Sequence, residues 1–212
     1  MREGRQRETN WPPPGIEDEE PVALLDRAYS ALVAELTTRK PTDPGGTWYE
    51  PDPTAGFWFR RMAQETVIHR IDAELAAGAS IAPVPDDLAV DGIDELLKVF
   101  VGYAFSKWPE DFTEALKDSP GRALFIRTDK AASTPSVAWL VKTAPGYLTV
   151  EGGPGEGLAD SAPPDVTVGG IPADVLRWAW NRETPGETSP VRTEGKAEAL
   201  TEFRQCVVEA TQ

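Results

Sequence analysis

From about Glu19 to Thr38 the apolar positions Val22, Leu25, Tyr29, Leu32, Val33 and Leu36 recur at helical spacing. A second such run extends from about Ala55 to Ala77 through Phe57, Trp58, Met62, Val67, Ile68, Ile71 and Leu75. Thr54 stands where an N-cap belongs and Gly78 where a helix stops. A third helical segment covers about Pro85 to Lys107, and PTDPGGTWYEPDPTAG between the first two is loop by composition. Residues 1–20 form a polar lead-in in which Pro12, Pro13 and Pro14 exclude regular helix. Near Pro120 the period changes. ALFIRT, SVAWLVKT, YLTVEGG and DVTVGG are short alternating or β-branched runs bounded by Gly, Pro and Asp, and they predict four strands. Ile171–Arg182 and Lys196–Glu209 read as two further helices, the first with Pro172 in its opening turn. The order predicts an α+β protein, with a helical domain over 1–112 and a small α+β domain over 113–212.

Composition narrows the classes of partner. The 212 residues carry 21 Lys and Arg against 35 Asp and Glu, a net charge of −14. Nucleic acid and anionic membrane surfaces are themselves negative, so neither is an expected partner. Nothing approaches the roughly 18 consecutive apolar residues of a spanning helix, and MREGRQRETN has no apolar core of a signal peptide. The lone cysteine, Cys206, forms no internal disulfide, which fits a reducing cytoplasm. Flanked by Phe203 and Val207, it reads as a buried small residue rather than a nucleophile.

The chemistry concentrates in QETVIHR. Glu65 and His69 are four apart, so on a helix their side chains leave one face a turn apart and can share a divalent ion. Asp72, three residues on, is placed to orient the imidazole. His69 is the only histidine, which rules out a His-rich three-ligand site and any nucleophile–His–Asp relay besides. A helix-surface Glu–His pair is the plain alternative. Arg60, Arg61 and Arg70 flank the pair, either as its surface counter-ions or as anchors for a substrate carboxylate. In LRWAWNR, Trp178 and Trp180 are two apart and cannot both face one core from one helix, which sends one of them to a pocket or a seam. GGPGEG and VGG lack the spacing and Lys of a phosphate loop and are turns.

TAGFWFRRMAQETVIHRIDAELAAG resembles the signature of the actinobacterial mycothiol-dependent maleylpyruvate isomerase family, and ALFIRTD, VTVGGIPADVLRWAWNR and VRTEGKAEAL resemble its C-terminal domain. The resemblance implies a DinB-like helical bundle carrying the metal, followed by a domain like sterol carrier protein 2. It implies zinc held by Glu65 and His69 with a second His from an early helix, mycothiol as thiol cosubstrate, and Arg182 as the activity-linked arginine of the C-terminal domain. Arg61 is the expected cofactor-side arginine. That early His belongs to a helix for which this chain has no residues, and REGRQRE resembles the end of the family's second helix. The expectation is that Met1 is an internal start that cuts off the leading helices, with a natural member that has lost them as the alternative; either leaves the bundle incomplete, and a homodimer is one way to cover the gap. The expected function is a zinc-dependent, thiol-assisted isomerase or thiol transferase on a small carboxylate-bearing electrophile, with inactivity of the two-ligand form as one outcome. The alternative is a non-catalytic protein that holds a small or lipid-like molecule between its domains.

Overall fold

The computed structural model describes residues 15–16, 19–132, 134–158 and 162–211; the lead-in over 1–14, with its proline run and the REGRQRE stretch, lies outside them. The chain divides into two compact units, Met1–Arg61 and Met62–Gln212.

In the first unit, α1 spans Pro21–Thr37 and opens on Glu20, whose carboxylate accepts from the backbone N–H of Val22 and Ala23 at 3.1 and 3.0 Å. Its apolar stripe stays in solvent, with Val22, Leu25 and Tyr29 each more than 60% exposed. The loop that follows is ordered by its own side chains. Pro44 bridges Thr54, the Trp58 indole donates to the Gly46 carbonyl at 3.0 Å, and Trp48, Tyr49 and Phe57 pack ring against ring. Helix α2 runs over Ala55–Ala76. Thr54 does cap it, its Oγ1 accepting from Gly56 N–H at 3.1 Å. Gly78 closes it at φ +62°, with Gly78 N–H on Leu75 O and Ala79 N–H on Glu74 O, a Schellman arrangement that satisfies the last carbonyls.

The second unit joins the rest of α2 to α3 (Asp86–Glu95), a π-helical stretch at Leu96–Tyr103, α4 (Ala104–Lys107), a 3₁₀ turn at Pro109–Phe112 and α5 (Thr113–Leu116). It continues through β1 (Arg122–Thr128), β2 (Ala138–Ala144), β3 (Tyr147–Gly152), β4 (Val166–Gly170), α6 (Pro172–Ala179), β5 (Arg192–Gly195) and α7 (Ala197–Thr211). The α+β class read from the sequence is therefore the observed one. The sheet order is β3-β2-β1-β4-β5, antiparallel throughout except for the parallel β1–β4 pair. Among the described residues five strands stand where four were expected. The extra one, β5, is exposed at every residue, so it carries no alternation to read, and it pairs Arg192 through Gly195 with β4.

One apolar core runs through this unit from Val67, Ile68 and Ile71 of α2, through Ile93, Leu96 and Leu97, to Ile126, Trp139 and Val168 of the sheet and Phe203 of α7. Two polar links tie helices to the sheet inside it. The Trp139 indole donates to Asp94 at 2.9 Å, and Glu202 accepts from Ser119 and Thr143 while pairing with Arg122 at 3.2 Å. Buried polar groups require such partners, because an unmet one costs about 1–3 kcal/mol.

Candidate functional site

Helix α2 sets the site through the residue just before it. Gln64 belongs to the same stripe as Val67, Ile68 and Ile71 and is fully buried. Its amide donates to the Leu88 carbonyl at 3.2 Å and to Asp91 Oδ2 at 2.8 Å. Gly92 makes this contact with α3 feasible, since a Cβ there would stand 2.5 Å from Gln64 Oε1 and 2.8 Å from Leu176 Cδ1. With that face pinned inward, the helical period turns Glu65, His69 and Asp72 outward.

The three side chains meet. His69 Nε2 lies 2.9 Å from Glu65 Oε2, and His69 Nδ1 lies 3.1 Å from Asp72 Oδ2. The imidazole is thus held edge-on between two carboxylates, and its side chain remains 68% exposed.

Arg182 reaches the same place from the other end of the unit. Helix α6 ends with Asn181 in the left-handed region at φ 57°; Asn181 N–H bonds Trp178 O at 3.0 Å and Arg182 N–H bonds Arg177 O at 2.7 Å. This turn sends the Arg182 side chain to α2. Its Nε donates to Asp72 Oδ1 at 2.8 Å, its Nη2 lies 3.4 Å from Asp72 Oδ2, and its Nη1 donates to the Trp180 carbonyl at 2.7 Å. Burial works to raise the Asp72 pKa, but the hydrogen bond and charge of Arg182, with His69 adding to them, hold it below the ordinary aspartate value.

The sequence-derived residues are distributed as follows. Glu65, His69 and Arg182 come together around Asp72. Arg61, one turn before Glu65 on α2, is buried at 3% exposure and ends the first unit. Arg70 turns away to donate to the Ala82 carbonyl at 3.0 Å. Trp178 and Trp180 are both buried: Trp178 stacks on Phe203, and Trp180 meets Phe100 edge to face. Trp178 in the last turn of α6 and Trp180 at its C-cap each find their own packing partner. Cys206 is fully buried, as expected, and burial pushes its thiol up to about 12. The sequence reading missed Gln64, although a polar residue inside an apolar stripe is itself a signal that a buried partner exists. It also gave no hint that Asp72 joins Arg182.

Glu65 Oε2 and His69 Nε2 are in direct contact at 2.9 Å, an oxygen and a nitrogen donor of the types zinc takes, with Asp72 on the other ring nitrogen. Among the described residues no group of three His, Cys, Asp or Glu side chains is arranged to hold an ion. A cavity of about 600 Å³ opens elsewhere, between α5 and α7, lined by Glu114, Asp118, Glu198, Glu202 and Glu209 with Lys117. That cavity holds neither the histidine nor the arginine, which the α2 cluster brings together around Asp72.

These features define an α+β protein with a carboxylate–imidazole pair on a helix, backed by an aspartate–arginine bridge. The family model described as the mycothiol maleylpyruvate isomerase N-terminal domain matches residues 2–74, and that of the MDMPI C-terminal domain matches residues 87–202. The chain belongs to the mycothiol maleylpyruvate isomerase family. No curated protein matches it. Among solved structures, the sterol carrier protein domain 2 of Helicoverpa armigera is similar at 16% identity and TM-score 0.40, covering 62% of this chain and 94% of that one. UbiJ-SCP2, a ubiquinone synthesis protein, is similar at 16% identity and TM-score 0.37, covering 61% and 98%. The conserved hypothetical protein TT1886 of Thermus thermophilus, described as possibly a sterol carrier protein, follows at 14% identity and TM-score 0.35, covering 62% and 86%. Among the described residues no helix is long and apolar enough to cross a membrane.

Proposed function

We propose that the chain is a zinc-dependent, mycothiol-using isomerase or thiol transferase acting on a small carboxylate-bearing electrophile. The observation that carries this reading is the convergence of Glu65 Oε2 and His69 Nε2 at 2.9 Å, with Nδ1 already engaged by Asp72. Glu65 and His69 would hold the ion, which when bound supplies a Lewis acid that lowers the pKa of a thiol. The chain's own residues account for the rest. Three of the five N–H groups of Arg182 are engaged by Asp72 and the Trp180 carbonyl, leaving two for a substrate carboxylate. Arg61 is the second arginine proposed for the cofactor side. A cytoplasmic setting accords with the single unpaired cysteine.

The test is zinc analysis of the purified chain followed by a maleylpyruvate isomerisation assay with mycothiol. Stoichiometric zinc that is lost in His69→Ala and Glu65→Gln, together with thiol-dependent turnover, supports the reading. A wild-type chain that takes up no zinc at micromolar concentration refutes it.

The homodimer rests on a separate observation, the exposed Val22, Leu25 and Tyr29 on α1. A second copy would cover that stripe, and sedimentation of wild type against Leu25→Glu tests it: a concentration-dependent dimer lost in the variant supports the pairing, and a monomer at all concentrations refutes it.

A further inference from the structure

We infer that Arg127 and Arg192, laid together over Gly169 on the outer face of the sheet, form a binding site for a phosphate group. The strand register sets the site. Arg127 of β1 pairs with Gly169 of β4, and Gly169 pairs with Arg192 of β5, so the three stand in one row on one face. Ile126 and Val168, next to them in the strands, are buried on the opposite face, where the core lies, while both arginines are exposed. Two strands apart, the arginine backbones are about 10 Å from each other. The glycine lets their side chains close that gap. A Cβ there would stand 3.3 Å from Arg127 Nε and 3.5 Å from Arg192 Nη2, so the two nitrogens lie within about 7 Å of each other. Gly169 itself is buried beneath them. A side chain on β4 at this point would hold the guanidiniums apart. Glycine inside a strand weakens the strand and often marks a place that a ligand approaches closely.

The charges suit an anion. In a chain with 35 Asp and Glu against 21 Lys and Arg, carboxylates are plentiful. Yet among the described residues no hydrogen bond or ion pair engages Arg127. Arg192 gives Nη2 to Asp129 at 2.6 Å, with Glu194 two residues along β5, and its other N–H groups remain for a ligand. Phosphate oxygens take charge-assisted bonds of about 2.7–2.9 Å, so two guanidiniums at this separation can grip one phosphate from both sides. A doubly charged anion also relieves the repulsion between them. Asp129 competes for Arg192 from inside the chain. None of these residues belongs to the α2 cluster, so the site stands whether or not that cluster binds a metal.

The test titrates the intact chain with inorganic phosphate at constant ionic strength, reading the arginine Nε–H signals by ¹H–¹⁵N NMR and the heat by calorimetry. Arg127→Gln, Arg192→Gln, Gly169→Ala and Asp129→Asn are compared with wild type, each checked for folding by circular dichroism. Lys117→Gln, on α5, serves as the control for general charge. The expected result is millimolar or tighter binding in wild type, weakened at least about 10-fold in either arginine variant. Gly169→Ala keeps both charges, and its Cβ presses on Arg127, so it should weaken binding about 3- to 10-fold. Asp129→Asn should tighten it, because the internal competitor loses its charge. Phenyl phosphate separates two sources of the group. Tighter binding than inorganic phosphate indicates an ester whose body rests on Phe125, half-buried two residues before Arg127 on the same face, and equal binding indicates the free ion. No response of wild type at about 10 mM phosphate, or equal weakening by Lys117→Gln, overturns the site. A tighter response to malonate than to phosphate overturns the assignment to phosphate, and wild-type affinity in Gly169→Ala overturns the role of the glycine.

Discussion

Arg182 Nε lies 2.8 Å from Asp72 Oδ1, joining residues 110 positions apart and bringing the end of α6 to the exposed face of α2. The pair is about one-third exposed on each side, so solvent screens it. Its expected contribution to stability is at most about 1 kcal/mol, despite the fork geometry. A double-mutant cycle with Asp72→Asn and Arg182→Gln in urea unfolding should return a coupling of that size. A coupling of several kcal/mol would mean that the bridge is mainly structural.

The turn that aims Arg182 depends on Asn181, the only non-glycine residue with positive φ among those described. Asparagine tolerates this region better than most side chains and glycine better still. Asn181→Gly should unfold at the wild-type denaturant midpoint or slightly above it, whereas Asn181→Val should lose about 1–2 kcal/mol. Equal stability of the two variants would show that α6 ends without needing the left-handed residue.

Gly92 is required for a different reason, close approach rather than backbone freedom. A methyl group there meets Gln64 Oε1 at 2.5 Å and Leu176 Cδ1 at 2.8 Å. Gly92→Ala should therefore cost about 1–3 kcal/mol as an overpacking substitution, despite the better helix propensity of alanine. Because Gln64 adjoins Glu65, the same variant should also weaken any zinc binding. Unchanged thermal unfolding would show that the side chains shift aside freely.

How much of this was legible beforehand depended on whether a residue announces its partner locally. Glu65 and His69 could be paired from spacing alone, because a helix places i and i+4 on one face. The Thr54 cap and the Gly78 stop were likewise local. Asp72 and Arg182 could not be paired: their contact depends on a turn at Asn181 and on how α6 packs, neither of which leaves a period in the chain. Strand β5 was missed because, exposed at every residue, it has no apolar alternation. Of the two tryptophans of LRWAWNR, Trp180 meets Phe100 across the expected 112/113 boundary, in keeping with the seam alternative, while Trp178 stacks on Phe203, a partner that leaves no local signal.

Cys206 supplies a check on the core. It is fully buried in α7, and desolvation, with the nearby Glu202 carboxylate adding to it, pushes its thiol up to about 12. The thiolate is the reactive form, so the native chain at pH 8 should react with a disulfide reagent orders of magnitude more slowly than the urea-unfolded chain. Fast stoichiometric labelling of the native chain would contradict the packing of α7 on the sheet.

Asp165 gives the clearest dependence on pH. Its carboxylate accepts from Lys196 Nζ at 2.7 Å and from the Ala123 N–H at 2.8 Å, and these contacts, the lysine first, hold its pKa below the ordinary aspartate value. The backbone doubles the link, with Asp165 N–H on Ala123 O and Lys196 N–H on Asp165 O, so this one residue fastens β1 and the exposed β5 to the start of β4. A group whose folded pKa is depressed stabilises fully above its unfolded value, about 3.9 for aspartate, and loses that contribution as pH falls through the lower folded value. The stability difference between wild type and Asp165→Asn should accordingly be constant from about pH 5 to 8 and shrink below about pH 4. Denaturant unfolding at a series of pH values measures it directly. A difference that stays flat down to about pH 2.5 would mean that the carboxylate charge adds nothing to the strand junction and that its backbone bonds alone hold β5.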